Sequence, residues 1–220
     1  MSIFKFSKKD QAMKWNLDNI RFLYPPDDFP GTFTNAMMQA RHEAAQKKKV
    51  EQILDNLKKA TTPVEAMNCL NRLSHLDFLL KNIDLFKEAG SFESTVLLLY
   101  YRKNTPFVGT DDLPTWIKLF ELCDKQHLYQ LGAPLTVNSL TVYRGSVTGI
   151  SQGLSWTTSK KKAAWFLDRW RDTEMGGGTV FSLQVNREDI LVQIVDKDRE
   201  EVILKPEIVQ TAQPVVVDTI

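Results

Sequence analysis

Residues 140–159 read LTVYRGSVTGISQGLSWTTS and residues 199–204 read REEVIL, and the architecture expected for the chain turns on them. Leu140–Tyr143 is rich in strand formers and runs into Arg144 and Gly145. Ser151–Gly153 has turn chemistry, after which Leu154–Thr157 reads as a short extended segment. Ser159 is an N-cap for a helix reaching about Arg171, with Ala163, Ala164, Phe166, Leu167 and Trp170 as its apolar surface. Gly176–Gly178 opens a loop. Strands are then expected over Val180–Val185 and Ile190–Val195, with a turn at Asn186–Asp189. Glu201–Leu204 begins another strand, and Ile208–Val217 reads as the closing one.

Upstream, the character is helical. Asn35–Ala60 lacks Gly and Pro, and Val50, Ile53, Leu54 and Leu57 recur at the helical period. The run Lys47–Lys49 falls near the solvent side of that helix and is read as a solvated face. Thr62 is an N-cap, with Pro63 at the first helical position and Glu65 at the third. One helix is expected to follow, with Met67, Leu70, Leu73, Leu76, Leu79 and Leu80 on one side and His75 among them as a core or boundary histidine. Ser91 caps a further helix through Tyr101, and Asp112 with Pro114 opens a segment ending near His127. The expected division is a helical lobe over 1–130 and a β-rich part over 131–220, an α+β chain with the lobe packed on the strands.

The composition is that of an ordinary globular protein: 43% hydrophobic and 25% charged residues over 220 positions. This excludes a disordered or low-complexity chain. Twenty-eight basic and 27 acidic residues leave a formal charge of +1, which argues against a protein built mainly around the phosphate backbone. The two cysteines, Cys69 and Cys123, have no CxxC spacing or neighbouring histidine cluster, so neither a zinc site nor a disulfide scaffold is expected. The N-terminal MSIFKFSKKDQAMKW lacks the apolar core of a secretory signal, and Val96–Tyr101 is too short to span a bilayer. The expectation is a cytoplasmic protein with no membrane association.

VYRG ending in Arg144–Gly145, LSWTTS with Ser155, and REEVIL with Glu201 occur in the order that resembles the R-S-E class of mono-ADP-ribosyltransferases, which includes many bacterial and phage enzymes and toxins. The resemblance covers roughly residues 136–217. It implies an ADP-ribosyltransferase-like core of two small sheets, NAD as substrate, no metal, and transfer of ADP-ribose to a macromolecule, protein or nucleic acid. It also implies a toxin or host-conflict effector, with a cognate antitoxin or inhibitor as a partner.

Carried onto this chain, the resemblance makes Arg144, Ser155 and Glu201 the catalytic set, with Arg144, Gly145, Ser155 and Thr157 holding NAD. The chemistry fits the residue types. A guanidinium meets two pyrophosphate oxygens in parallel, a hydroxyl both donates and accepts, and a carboxylate stabilises oxocarbenium-like charge on a ribose. Gly145 permits a close backbone approach. Thr157 and Thr158 brace Ser155, or serve only as strand and cap residues. Trp156 is expected in the core.

One position departs from the arginine-modifying members, which carry E-x-E: two places before Glu201 stands Arg199. Glu200 is adjacent, but neighbouring strand residues point to opposite faces. Lys197, Arg199 and Glu200 occupy the target-recognition turn, where Lys197 and Arg199 suit an acidic or phosphate-bearing target. The loop Asp172–Thr179 corresponds to the family's phosphate-nicotinamide loop. Trp165, Phe166 and Trp170 supply either a stacking surface or, as usual for an amphipathic helix, core. Lys160–Lys162 reads as solvated. The alternatives are an NAD glycohydrolase, which shares the first half-reaction, and a non-catalytic interaction protein on the same fold.

Overall fold

A computed structural model describes residues 14–20, 33–102, 113–170, 178–196 and 199–219. The chain divides into two compact units, residues 1–104 and 105–220.

In the first unit the described elements are helical: α1 (Ala36–Lys59), α2 (Pro63–Asn68), α3 (His75–Lys81), α4 (Ile83–Glu88) and α5 (Phe92–Tyr101). The Asn35 side chain accepts from the Met37 and Met38 amides at the start of α1. Only Leu57, near its C-terminal end, is fully buried on this helix. Thr62 and Glu65 form a reciprocal capping box with Pro63 at the first position of α2, as the spacing predicts. The continuous helix expected after Pro63 is instead broken. The Asn71 side chain accepts from the Leu73 amide and starts a 3-10 turn over Arg72–Ser74, which leaves Leu73 56% exposed while Met67, Leu70 and Leu79 are buried. His75 is buried, its Nε2 3.2 Å from the Leu70 carbonyl oxygen.

The second unit holds α6 (Leu113–Leu122), α7 (Lys125–Gln130), β1 (Ser139–Ser146), β2 (Ser155–Trp156), α8 (Lys160–Trp170), β3 (Thr179–Asn186), β4 (Ile190–Asp196), β5 (Arg199–Leu204), α9 (Pro206–Thr211) and β6 (Val215–Thr219). Thus α6 and α7, which precede the boundary read at 131, belong with the strands. Asp124 separates these two helices by accepting from the His127 amide at 2.7 Å. Among the described residues there are two antiparallel three-stranded sheets, ordered β1-β3-β6 and β2-β5-β4.

The strand expected over Ile208–Val217 is a correction: Pro206 starts a short helix, α9, which buries Val209, and the strand begins only at Val215. A proline at the first helical position fixes φ where the helix needs it, and that local signal outweighs the β-branched run behind it. α8 lies on the β1-β3 face, where Val147, Ala163, Leu167 and Val180 form a buried cluster with Tyr143 against it. Gly145 makes this close packing feasible. A Cβ there would run into the backbone carbonyl of Ala163.

Candidate active site

Strand pleating sorts the side chains of β1. Tyr143, Gly145 and Val147 face α8, so the alternate residues Val142 and Arg144 lie on the opposite face. The two sheets meet beside Arg144. Tyr143 and Thr157 exchange both backbone hydrogen bonds, the Tyr143 amide donating to the Thr157 carbonyl at 2.7 Å and the Thr157 amide to the Tyr143 carbonyl at 2.9 Å. This antiparallel bridge brings the end of β2 alongside the end of β1, and the Arg144 Nη1 donates to the Ser155 carbonyl oxygen at 2.9 Å.

The second link crosses the β2–β5 ladder. Ser155 pairs with Ile203, so Glu201, two residues earlier on β5, lies on the same face as Ser155. There the Ser155 hydroxyl donates to Glu201 Oε1. Arg144, Ser155 and Glu201, the three residues that the family resemblance singles out, are therefore joined in one hydrogen-bonded series. Ser155 and Glu201 are both half-buried. The opposite face of the ladder is core: Trp156 pairs with Val202, both buried, as expected for the tryptophan.

Thr157 and Gly145 serve the frame. The Thr157 hydroxyl accepts from the Ser159 amide at 3.2 Å, and the Ser159 hydroxyl in turn accepts from the Lys162 amide at 3.2 Å as the N-cap of α8. The close approach that Gly145 permits is to α8.

Around Glu201, Glu200 points to the other face and its Oε2 lies 3.5 Å from the Lys162 Nζ. Arg199 pairs with Asp196 in the β4–β5 ladder. Lys197 and residues 171–177 of the glycine loop lie outside the described residues. On α8, Trp165 is 59% exposed, which corrects the core reading for that residue, and the Arg169 guanidinium carbon lies 5.4 Å from its ring centroid. It sits off the stripe formed by Ala163 and Leu167, so the sheet cannot cover it. Phe166 is half-buried.

Sequence reading missed Gly153. A Cβ at this glycine would fall on the guanidinium carbon and both terminal nitrogens of Arg144, so the guanidinium lies flat against the glycine backbone. The visible signal was only a glycine in a turn.

A separate open depression of about 480 Å³ involves Tyr129, Arg187 and Lys125. Two of its cations have partners: Lys125 donates to Glu207 at 2.8 Å and Arg187 to the Tyr129 hydroxyl at 2.8 Å. Neither Arg144, Ser155 nor Glu201 lines it. Among the described residues no helix is long and apolar enough to cross a membrane, and no group of three His, Cys, Asp or Glu side chains converges. Compared with known proteins, the chain matches no protein-family model, no curated protein and no solved structure.

Proposed function

We propose that this chain is an NAD-dependent ADP-ribosyltransferase acting on a macromolecule, protein or nucleic acid. One observation carries the reading: a guanidinium, a hydroxyl and a carboxylate from β1, β2 and β5, drawn from separate parts of the sequence, form one series through the Ser155 carbonyl and hydroxyl.

Arg144 binds the pyrophosphate of NAD with charge-assisted hydrogen bonds. Ser155 holds the Glu201 carboxylate in place, and Glu201 faces the ribose of the nicotinamide nucleoside. The bond between ribose C1′ and the nicotinamide nitrogen breaks with its electron pair leaving on nicotinamide. Glu201 stabilises the positive charge that develops on the sugar more in the transition state than in the ground state. A nucleophile of the acceptor then bonds to C1′ and releases its proton to solvent. Glu201 needs no proton of its own for this role.

A second reading, NAD glycohydrolase, is favoured by the surroundings of Glu201. The carboxylate that activates an arginine acceptor in E-x-E members is replaced by Arg199, and Glu200 is turned away toward Lys162. Water then takes the acceptor's place. Incubating the chain with labelled NAD and a crude cell extract tests both. Label on protein or nucleic acid supports transfer, free ADP-ribose supports hydrolysis, and NAD binding without nicotinamide release would leave a non-catalytic protein on this fold.

A further inference from the structure

We propose that Gly153 and Trp156 are positioning residues for Arg144 and set the affinity of the site for the NAD pyrophosphate. The inference rests on the functional reading above and extends it to residues that the family resemblance did not supply.

Two surfaces described above lie against the guanidinium. Along one edge, the Ser155 carbonyl accepts from Nη1 at 2.9 Å. Against its flat side lies Gly153, which is buried and whose missing Cβ is the space the guanidinium fills. The Gly153 φ is not positive, so the left-handed region does not call for glycine there, whereas the neighbouring guanidinium does. The glycine is itself held. The Trp156 indole N–H donates to the Gly153 carbonyl at 2.7 Å in a buried bond. Trp156 is anchored in turn by its pairing with Val202, and the Leu204 amide donates to the Leu154 carbonyl at 2.9 Å. The turn 153–156 is thus bound to β5, the strand that carries Glu201. A long arginine side chain has many rotamers, and holding one of them before the ligand arrives lowers the ordering cost of binding.

The physical consequence is specific. At Gly153 an added methyl would meet the far end of a flexible side chain, so Gly153→Ala leaves the backbone in place and moves the guanidinium. Trp156→Phe keeps an aromatic ring in the core and removes the donor that holds Gly153.

The test uses the full chain with two measurements. The side-chain Nε–Hε resonance of Arg144, identified by its loss in Arg144→Lys, reports the position of the guanidinium without any ligand. Calorimetric titration with NAD, together with KM and kcat for nicotinamide release, reports affinity. Gly153→Ala should shift the resonance, weaken NAD binding at least about tenfold and raise KM far more than it lowers kcat. Trp156→Phe should move each in the same direction by less. An unmoved resonance in both variants overturns the proposal, and so does a shifted resonance with NAD affinity unchanged. If the wild-type chain binds no NAD, the functional reading fails and the affinity role fails with it. In that case the resonance alone still shows whether Gly153 and Trp156 hold Arg144. Should Gly153→Ala not fold, Trp156→Phe decides.

Discussion

Ser155 and Glu201, 46 residues apart in the chain, are joined side chain to side chain, the serine hydroxyl donating to the glutamate Oε1 across the β2–β5 ladder. The contact ties the carboxylate to the strand that also offers its backbone carbonyl to Arg144.

Loss of the Glu201 charge should therefore cost more than loss of its tether. Glu201→Gln is expected to reduce nicotinamide release at least about a hundredfold while NAD binding persists, because the amide is nearly isosteric but carries no charge. Ser155→Ala leaves the carboxylate but removes the hydroxyl that donates to it, and is expected to lower kcat about tenfold to a hundredfold, the range for a hydrogen bond to a charged group. Rates of nicotinamide release at saturating NAD check both. Equal rates in wild type and Glu201→Gln would remove the carboxylate from the reaction.

The glycine at 145 should be far less tolerant than the one at 153. A methyl at Gly145 meets the Ala163 backbone carbonyl, which cannot swing aside, so α8 must move off the β1-β3 face. Gly145→Ala is expected to destabilise the protein by about 1–3 kcal/mol, the usual cost of overpacking. Urea midpoints read this directly, and a variant as stable as wild type would contradict the packing described for α8.

Capping gives a local prediction in the first unit. The Thr62 hydroxyl accepts from the Glu65 amide at 3.2 Å, and the Glu65 carboxylate accepts from the Thr61 amide and hydroxyl at 2.9 and 2.8 Å. Those Thr61 contacts hold the Glu65 carboxyl below its ordinary value. Thr62→Ala is expected to cost about 1 kcal/mol, measured by chemical unfolding.

His75 makes stability depend on pH. Burial pushes its imidazole below the ordinary 6.5; the Leu70 carbonyl opposes this, and the nearby positive charges of Arg102 and Arg72 add to it. Well above pH 6.5 the ring is neutral in folded and unfolded chains alike, so its contribution is complete. As pH falls below that point the unfolded chain takes up a proton that the folded one refuses, and stability declines until the folded ring also titrates. The urea midpoint should drop from about pH 7 to about pH 5, and His75→Gln, which keeps a donor for the Leu70 carbonyl without titrating, should flatten that slope. An identical slope in the variant would assign the dependence to other groups.

What the sequence disclosed about this molecule follows from the range of each signal. The Thr62–Pro63–Glu65 box, the Ser159 cap of α8 and the strand character of Leu140–Tyr143 are set by neighbours within four positions, and the structure shows all three. The order of Arg144, Ser155 and Glu201 was legible as a pattern, and the strands bring the three together. Other features depended on competition or on distant packing. Asn71 cut a helix that leucine spacing made look continuous, and Pro206 displaced the start of the last strand. Trp165 stands exposed because the sheet covers only the Ala163–Leu167 stripe. The Gly153–Arg144 contact could not be read at all, since no periodicity relates a turn glycine to a guanidinium on another sheet.

The reciprocal bond pair between Tyr143 and Thr157 joins the two sheets beside the candidate site. The joint lies one residue from Arg144 and two from Ser155. A rearrangement of that joint is therefore expected to disturb the guanidinium and the hydroxyl together.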